Sequence, residues 1–154
     1  MFERIIIVVF VLSLTLYITI YTLQRKRNAK IKQEALTLLN QKGSVSTEQG
    51  RHFFTVGDHK VELLFFYVPL YADLTINSKI IWEIKDSSKS RLVNQTQFLS
   101  SPHEKLIIIY PTQIVIKRFI NENELVFVKY NEKFNQMYVL RANELKQFLD
   151  EDIL

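Results

Sequence analysis

Asp73, Glu83 and Lys85 have the types and spacing that metal-assisted cleavage of a phosphodiester needs. A strand over Ile80-Ile81-Trp82-Glu83-Ile84-Lys85 turns Ile80, Trp82 and Ile84 to one side and Ile81, Glu83 and Lys85 to the other. Asp73 lies on the preceding strand, and a hairpin around Asn77-Ser78 brings it towards Glu83. Two converging carboxylates repel each other and are tolerated best with a cation between them. Mg²⁺ (or Mn²⁺) accepts one or two carboxylates and fills its other positions with water and phosphate oxygens. Such an ion polarises the phosphodiester and acidifies a water for attack. Asp73 and Glu83 are therefore the expected metal ligands. Lys85 is the expected catalytic cation, orienting the water or stabilising the developing charge. Glu34, at the edge of an upstream apolar helix stripe, is an auxiliary ligand.

Convergence depends on register. If Asn77-Ser78 is a two-residue turn, Asp73 pairs with Trp82 and points away from Glu83. If the loop is Asn77-Ser78-Lys79, Asp73 stands opposite Glu83 on the same face. The plainer reading of Glu-x-Lys is a half-exposed strand with two solvated charges.

The elements that position these residues follow from periodicity. Ile31, Ala35, Leu38 and Leu39 form the stripe of an amphipathic helix that ends near Gly43, and Ser44 to Gly50 reads as a polar loop. "RHFFTV", a Gly57-Asp58 turn and "KVELLFFYV" read as paired strands. Ser87 or Ser88 is expected to cap a helix over roughly 89–99, and "KLIIIY" (105–110) reads as a strand covered on both faces. A second helix is expected over "TQIVIKRFINEN", then strands at "LVFVKY" and "MYVL" and a closing helix capped near Asn143. Phe53, Phe54, Phe65, Phe66, Phe98 and Phe119 read as core, and Trp82 as packing against a helix. The order implies a mixed α/β domain with a central sheet flanked by helices.

The 154 residues suffice for one such domain, and the absence of cysteine excludes disulfides and thiolate metal sites. His52, His59 and His103 follow no metal-ligand spacing. Ile5 to Leu23 carries no charge and, as a helix, covers about 28 Å, close to the hydrocarbon thickness of a bilayer. The preceding Met-Phe-Glu-Arg lacks a basic excess, and no small-residue cleavage site follows, which favours an uncleaved anchor over a signal peptide. Arg25, Lys26, Arg27, Lys30 and Lys32 come next without an acid, placing the following domain on the cytoplasmic side of the cell membrane in a single-pass arrangement. The organisation expected is an anchor over 1–24, a basic juxtamembrane segment over 25–33 and the α/β domain over 34–154. From Gln33 onward 14 Lys and Arg face 15 Asp and Glu, so the high isoelectric point belongs to the juxtamembrane cluster, lying against anionic headgroups.

A helix with an inward Glu, a strand pair bearing Asp and then Glu-x-Lys, a helix, a buried strand and another helix together resemble the PD-(D/E)XK nuclease superfamily. The resemblance covers roughly 32–130 and rests on Asp73, Glu83 and Lys85, with Glu34 matching the first-helix acid and Gln95 a polar position facing the site. It implies a restriction endonuclease-like fold and Mg²⁺-dependent cleavage of DNA, less often RNA. The sequence departs from the motif in that no Pro directly precedes Asp73. Lys89 and Arg91 on the following helix are candidate phosphate contacts, with Lys117 and Arg118 on the next; solvated helix faces are the plainer reading. Three readings remain: a membrane-anchored nuclease, a catalytically inactive nuclease-fold module that binds or assembles at the membrane, and an envelope accessory protein in which these charges form only salt bridges.

Overall fold

The computed structural model describes residues 2–111 and 115–154, with side chains from residue 6 onward. It opens on one unbroken helix, α1 (Phe2–Lys42), of 41 residues, about 60 Å long. No Pro or Gly interrupts it, so nothing separates the apolar stretch from the amphipathic one. The side chains from Ile6 to Leu23 are exposed, whereas Ala35 and Leu39 are buried in the domain. The helix stops at Gly43, where a Cβ would lie 2.2 Å from the Thr55 carbonyl oxygen; only glycine lets the chain leave the helix this close to its neighbouring strand.

Two five-stranded sheets follow. Sheet A has the order β1 (Ser44–Glu48), β2 (Arg51–Val56), β3 (His59–Tyr67), β7 (Glu104–Tyr110), β10 (Met137–Arg141). Its first three strands form an antiparallel meander, and β3, β7 and β10 are parallel. Sheet B has the order β6 (Ser90–Asn94), β5 (Ile81–Lys85), β4 (Asp73–Ile76), β8 (Ile116–Asn121), β9 (Glu124–Phe127). There β4 and β8 are parallel and the other neighbours antiparallel. Two short helices, α2 (Thr96–Leu99) and α3 (Leu145–Asp150), complete the chain.

Sheet A is the middle layer. Its alternate residues Val61, Leu63, Leu106, Ile108 and Leu140 pack with Ala35 and Leu39 of α1 and Leu145, Phe148 and Leu149 of α3. The opposite set, including Ile107, Ile109, Met137 and Val139, meets Leu74, Ile76, Trp82 and Ile84 of sheet B. The continuous apolar run of β7 has this cause, since both its faces are covered.

Several expectations are corrected. There are two sheets rather than one central sheet flanked by helices, and Trp82 packs edge-to-face on Phe66 of sheet A, ring centroids 5.2 Å apart, not on a helix. Residues 44–48, expected as loop, form an edge strand joined to β2 through Gln49-Gly50, both at positive φ, as a two-residue hairpin requires. Residues 90–94, expected as helix, are strand β6. The Asp86 carboxylate accepts the Ser88 and Lys89 N–H groups at 2.8 and 2.7 Å, so this segment closes a hairpin instead of capping a helix. Residues 116–121 are a strand, as the β-branched Ile116 and Ile120 favour; the start of that expected helix, 112–114, lies outside the described residues. Phe119 is exposed on sheet B rather than buried. The closing helix starts after Glu144 without a side-chain cap, because Glu144 is bonded to the Arg141 N–H and guanidinium.

Candidate functional site: a charged open face and a buried ionic strut

The β4–β5 hairpin adopts neither register expected from the sequence. Asp73 pairs with Lys85, Thr75 with Glu83, and Ile76 with Trp82. The turn holds by the Asn77 and Ser78 N–H groups, both donating to the Ile81 carbonyl at 3.1 Å. The parity is nevertheless the one the site needs: Asp73, Glu83 and Lys85 share the outer face of sheet B, while Leu74, Ile76, Trp82 and Ile84 fill the inner one. Asp73 and Glu83 are diagonal neighbours, a relation that sets such positions about 7–8 Å apart.

Each carboxylate already has a partner. Lys117, on β8, lies 3.4 Å from Asp73, and Ser90, on β6, donates a short hydrogen bond to Glu83. Lys85 is exposed and makes no ion pair among the described residues. No three His, Cys, Asp or Glu side chains gather among the described residues in a way that could hold a metal ion.

The auxiliary residues lie elsewhere. Glu34 is exposed on α1, 3.7 Å from Lys30, and α1 packs on the face of sheet A opposite to sheet B. Arg91 pairs with the inward-facing Ile84, so strand alternation points it away from the face that carries Glu83. Lys89 belongs to the Asp86 turn, and Arg118 is bonded to Glu132 across the Phe134 ring. Gln95 is buried at the start of α2, where it lines a cleft of about 280 Å³ with Arg51 and Glu62.

That cleft borders a cluster not singled out from the sequence. Phe53, Glu62 and Lys105 form one row across β2, β3 and β7, on the face of sheet A towards sheet B. Glu62 and Lys105 are almost wholly buried. Arg51 donates to Glu62 Oε1 and to the Gln97 carbonyl, each at 3.1 Å. Lys105 Nζ donates to the Ser101 carbonyl and hydroxyl and to the His103 carbonyl, at 3.0, 3.1 and 2.6 Å. Glu62 Oε2 lies 3.0 Å from Nζ but off the line of a hydrogen bond, so that contact is an ion pair. Burial pushes the Glu62 carboxyl up, but Lys105, Ser101 and Arg51 outweigh it and hold the group below the usual glutamate range. With both oxygens facing cations, the carboxylate holds Arg51 and Lys105, and these two donate to Gln97, Ser101 and His103 in and after α2, tying sheet A to that region. The sequence signal was present: Glu62 and Lys105 each open an otherwise apolar strand core.

Among the described residues no layer covers the outer face of sheet B. Around its charged centre stand exposed Leu92 on β6, Phe119 on β8, and Leu125 and Phe127 on the edge strand β9. No protein-family model matches the chain, and neither a curated protein nor a solved structure matches it.

Proposed function

We propose that the protein is a membrane-anchored binding or assembly module that presents the outer face of sheet B to a partner. The observation that carries this reading is the continuity of α1. Its exposed apolar part is long and apolar enough to cross a membrane, and its last turns bury Ala35 and Leu39 in the domain, so the anchor and the domain share one rigid element. The basic run Arg25 to Lys32 puts the domain on the cytoplasmic side. An open sheet face with Leu92, Phe119, Leu125 and Phe127 around a few charges suits a protein partner, since apolar groups at this density otherwise favour burial.

The second reading is a membrane-anchored Mg²⁺-dependent nuclease of PD-(D/E)XK type acting on DNA, less often RNA. What favours it is that Asp73, Glu83 and Lys85 occupy one face. When bound, the ion would supply water activation, with Asp73 and Glu83 as its ligands; Lys85 would hold negative charge at its ammonium.

One preparation tests both. The full chain, purified in detergent, is incubated with DNA and with RNA, in Mg²⁺ or Mn²⁺ and in chelator. The assembly reading expects no cleavage and expects the chain to stay with membranes through alkaline extraction. Metal-dependent cleavage that disappears in Glu83→Ala and Lys85→Ala replaces it with the nuclease. Release of the chain by alkaline extraction removes the anchor from either reading.

A further inference from the structure

The domain does not hang free at the end of α1. Tyr67, which ends β3, and Tyr110, which ends β7, stand beside Tyr21, Gln24, Arg25 and Asn28, enclosing a hollow of about 280 Å³. The two rings meet edge-to-face with centroids 5.7 Å apart, and Val68 donates its N–H to the Tyr110 carbonyl at 2.9 Å. A second hollow of about 230 Å³ lies alongside, where Arg27 faces Pro69, Tyr71 and Pro111. Tyr71 is 91% exposed and is held at φ 67°.

The level of these hollows along the helix identifies their occupant. Tyr21 lies inside the charge-free stretch that ends at Leu23, so Tyr67 and Tyr110 reach the height at which an embedded helix leaves the hydrocarbon. Arg25 and Arg27 follow about 3–6 Å further along the axis, at headgroup height. Neither guanidinium has a protein partner among the described residues. A guanidinium matches the oxygens of a phosphate with two parallel hydrogen bonds, and the Asn28 and Gln24 amides supply further donors. Tyrosine suits this depth because its ring is apolar and its hydroxyl is polar.

We propose that these hollows between α1 and the 67–71 loop seat the phosphate headgroups of anionic glycerophospholipids, with Arg25 and Arg27 as phosphate ligands and Tyr67, Tyr71 and Tyr110 as interfacial anchors. The domain is thereby pressed onto the bilayer, which fixes the direction in which sheet B faces. This inference rests on the membrane-span reading of α1 and adds a lipid class and a site to it.

Resonance broadening in the full chain, reconstituted into lipid nanodiscs, tests the site without altering it. One disc preparation carries a gadolinium chelate on a lipid headgroup, and a second carries a nitroxide on an acyl chain. In discs containing phosphatidylglycerol, the headgroup label is expected to broaden the Val68, Leu70 and Ala72 amides several-fold more than those of Gly57 and Asp58, in the turn at the opposite end of β3. In phosphatidylcholine discs, and in the Arg25→Gln/Arg27→Gln variant, that excess is expected to shrink several-fold without vanishing, because α1 still holds these residues near headgroup height; an excess unchanged in both would overturn the phosphate site. Equal broadening at 68–72 and 57–58 in anionic discs, with amides 8–20 still broadened by the acyl-chain label, overturns the headgroup site and leaves the membrane span standing. Absence of acyl-chain broadening at 8–20 overturns both. Inorganic phosphate added to phosphatidylcholine discs is expected to change nothing at 68–72. Shifts there that match those caused by phosphatidylglycerol assign the hollows to free phosphate and overturn the lipid assignment.

Discussion

Two acid–base clusters of similar composition differ in place: one on the outer face of sheet B, the other on the face of sheet A towards sheet B. On the outer face of sheet B, Lys85 is exposed, Asp73, Glu83 and Lys117 are half-buried, and the 3.4 Å Asp73–Lys117 pair is partly exposed at both ends. Inside, Glu62 and Lys105 are almost wholly buried, with Arg51 closing the cluster at the cleft. Exposed pairs contribute about 0–1 kcal/mol, because water and salt screen them and two long side chains lose freedom. A buried charge left without its partner costs about 3–5 kcal/mol. The same residue types therefore act as a displayed surface in one place and as a structural tie in the other. Solvent access decides which.

The largest expected effect is at Lys105. Lys105→Ala strands the Glu62 carboxylate and is expected to cost about 3–5 kcal/mol in denaturant unfolding of the full chain in micelles. The pair Lys105→Met/Glu62→Leu removes both charges and is expected to recover most of that loss. A double variant as unstable as Lys105→Ala would break the account of the cluster as a charge-balance problem. Next comes Arg51→Ala, which deletes hydrogen bonds to Glu62 and Gln97 and is expected to cost about 1.5–3 kcal/mol by the same measurement.

The third prediction concerns pH. Because the folded Glu62 pKa is depressed, its contribution is complete above the ordinary glutamate value of about 4.3 and is lost as pH falls through the lower folded value. Stability measured from pH 6 down to about pH 3 is expected to fall for the native chain, with a shallower fall in Glu62→Gln. Identical slopes would remove Glu62 from the acid response. The smallest effect is expected at Lys85→Ala, within about 0.5 kcal/mol, since the side chain is exposed and makes no ion pair among the described residues. A larger loss would show that the outer face also carries stability.

Much of the local structure is legible in the chain. The alternation through Trp82-Glu83-Ile84-Lys85 places Trp82 and Ile84 inside, the apolar run 106–109 signals a strand covered twice, and Gly57-Asp58 signals a hairpin. The misread segments share one cause. Residues 90–94 and 116–121 carry patterns that serve a helix or a strand equally, and pairing partners far along the chain select the strand: β5 for the first, β4 and β9 for the second. The hairpin register turned on a loop that no single residue type dictates.

By itself the sequence determines what depends on neighbours along the chain: an apolar segment long enough to span a bilayer, the basic run behind it, an unbroken helix to Gly43, and the face on which Glu83 and Lys85 stand. Only the tertiary structure decided which charges share an environment. It put Glu34 on the far side of sheet A from Asp73, left Asp73 and Glu83 diagonal and already engaged, and brought Arg51, Glu62 and Lys105 together from three strands. The physical reason is that periodicity is a short-range property, whereas desolvation and charge pairing depend on which distant strands the core draws side by side.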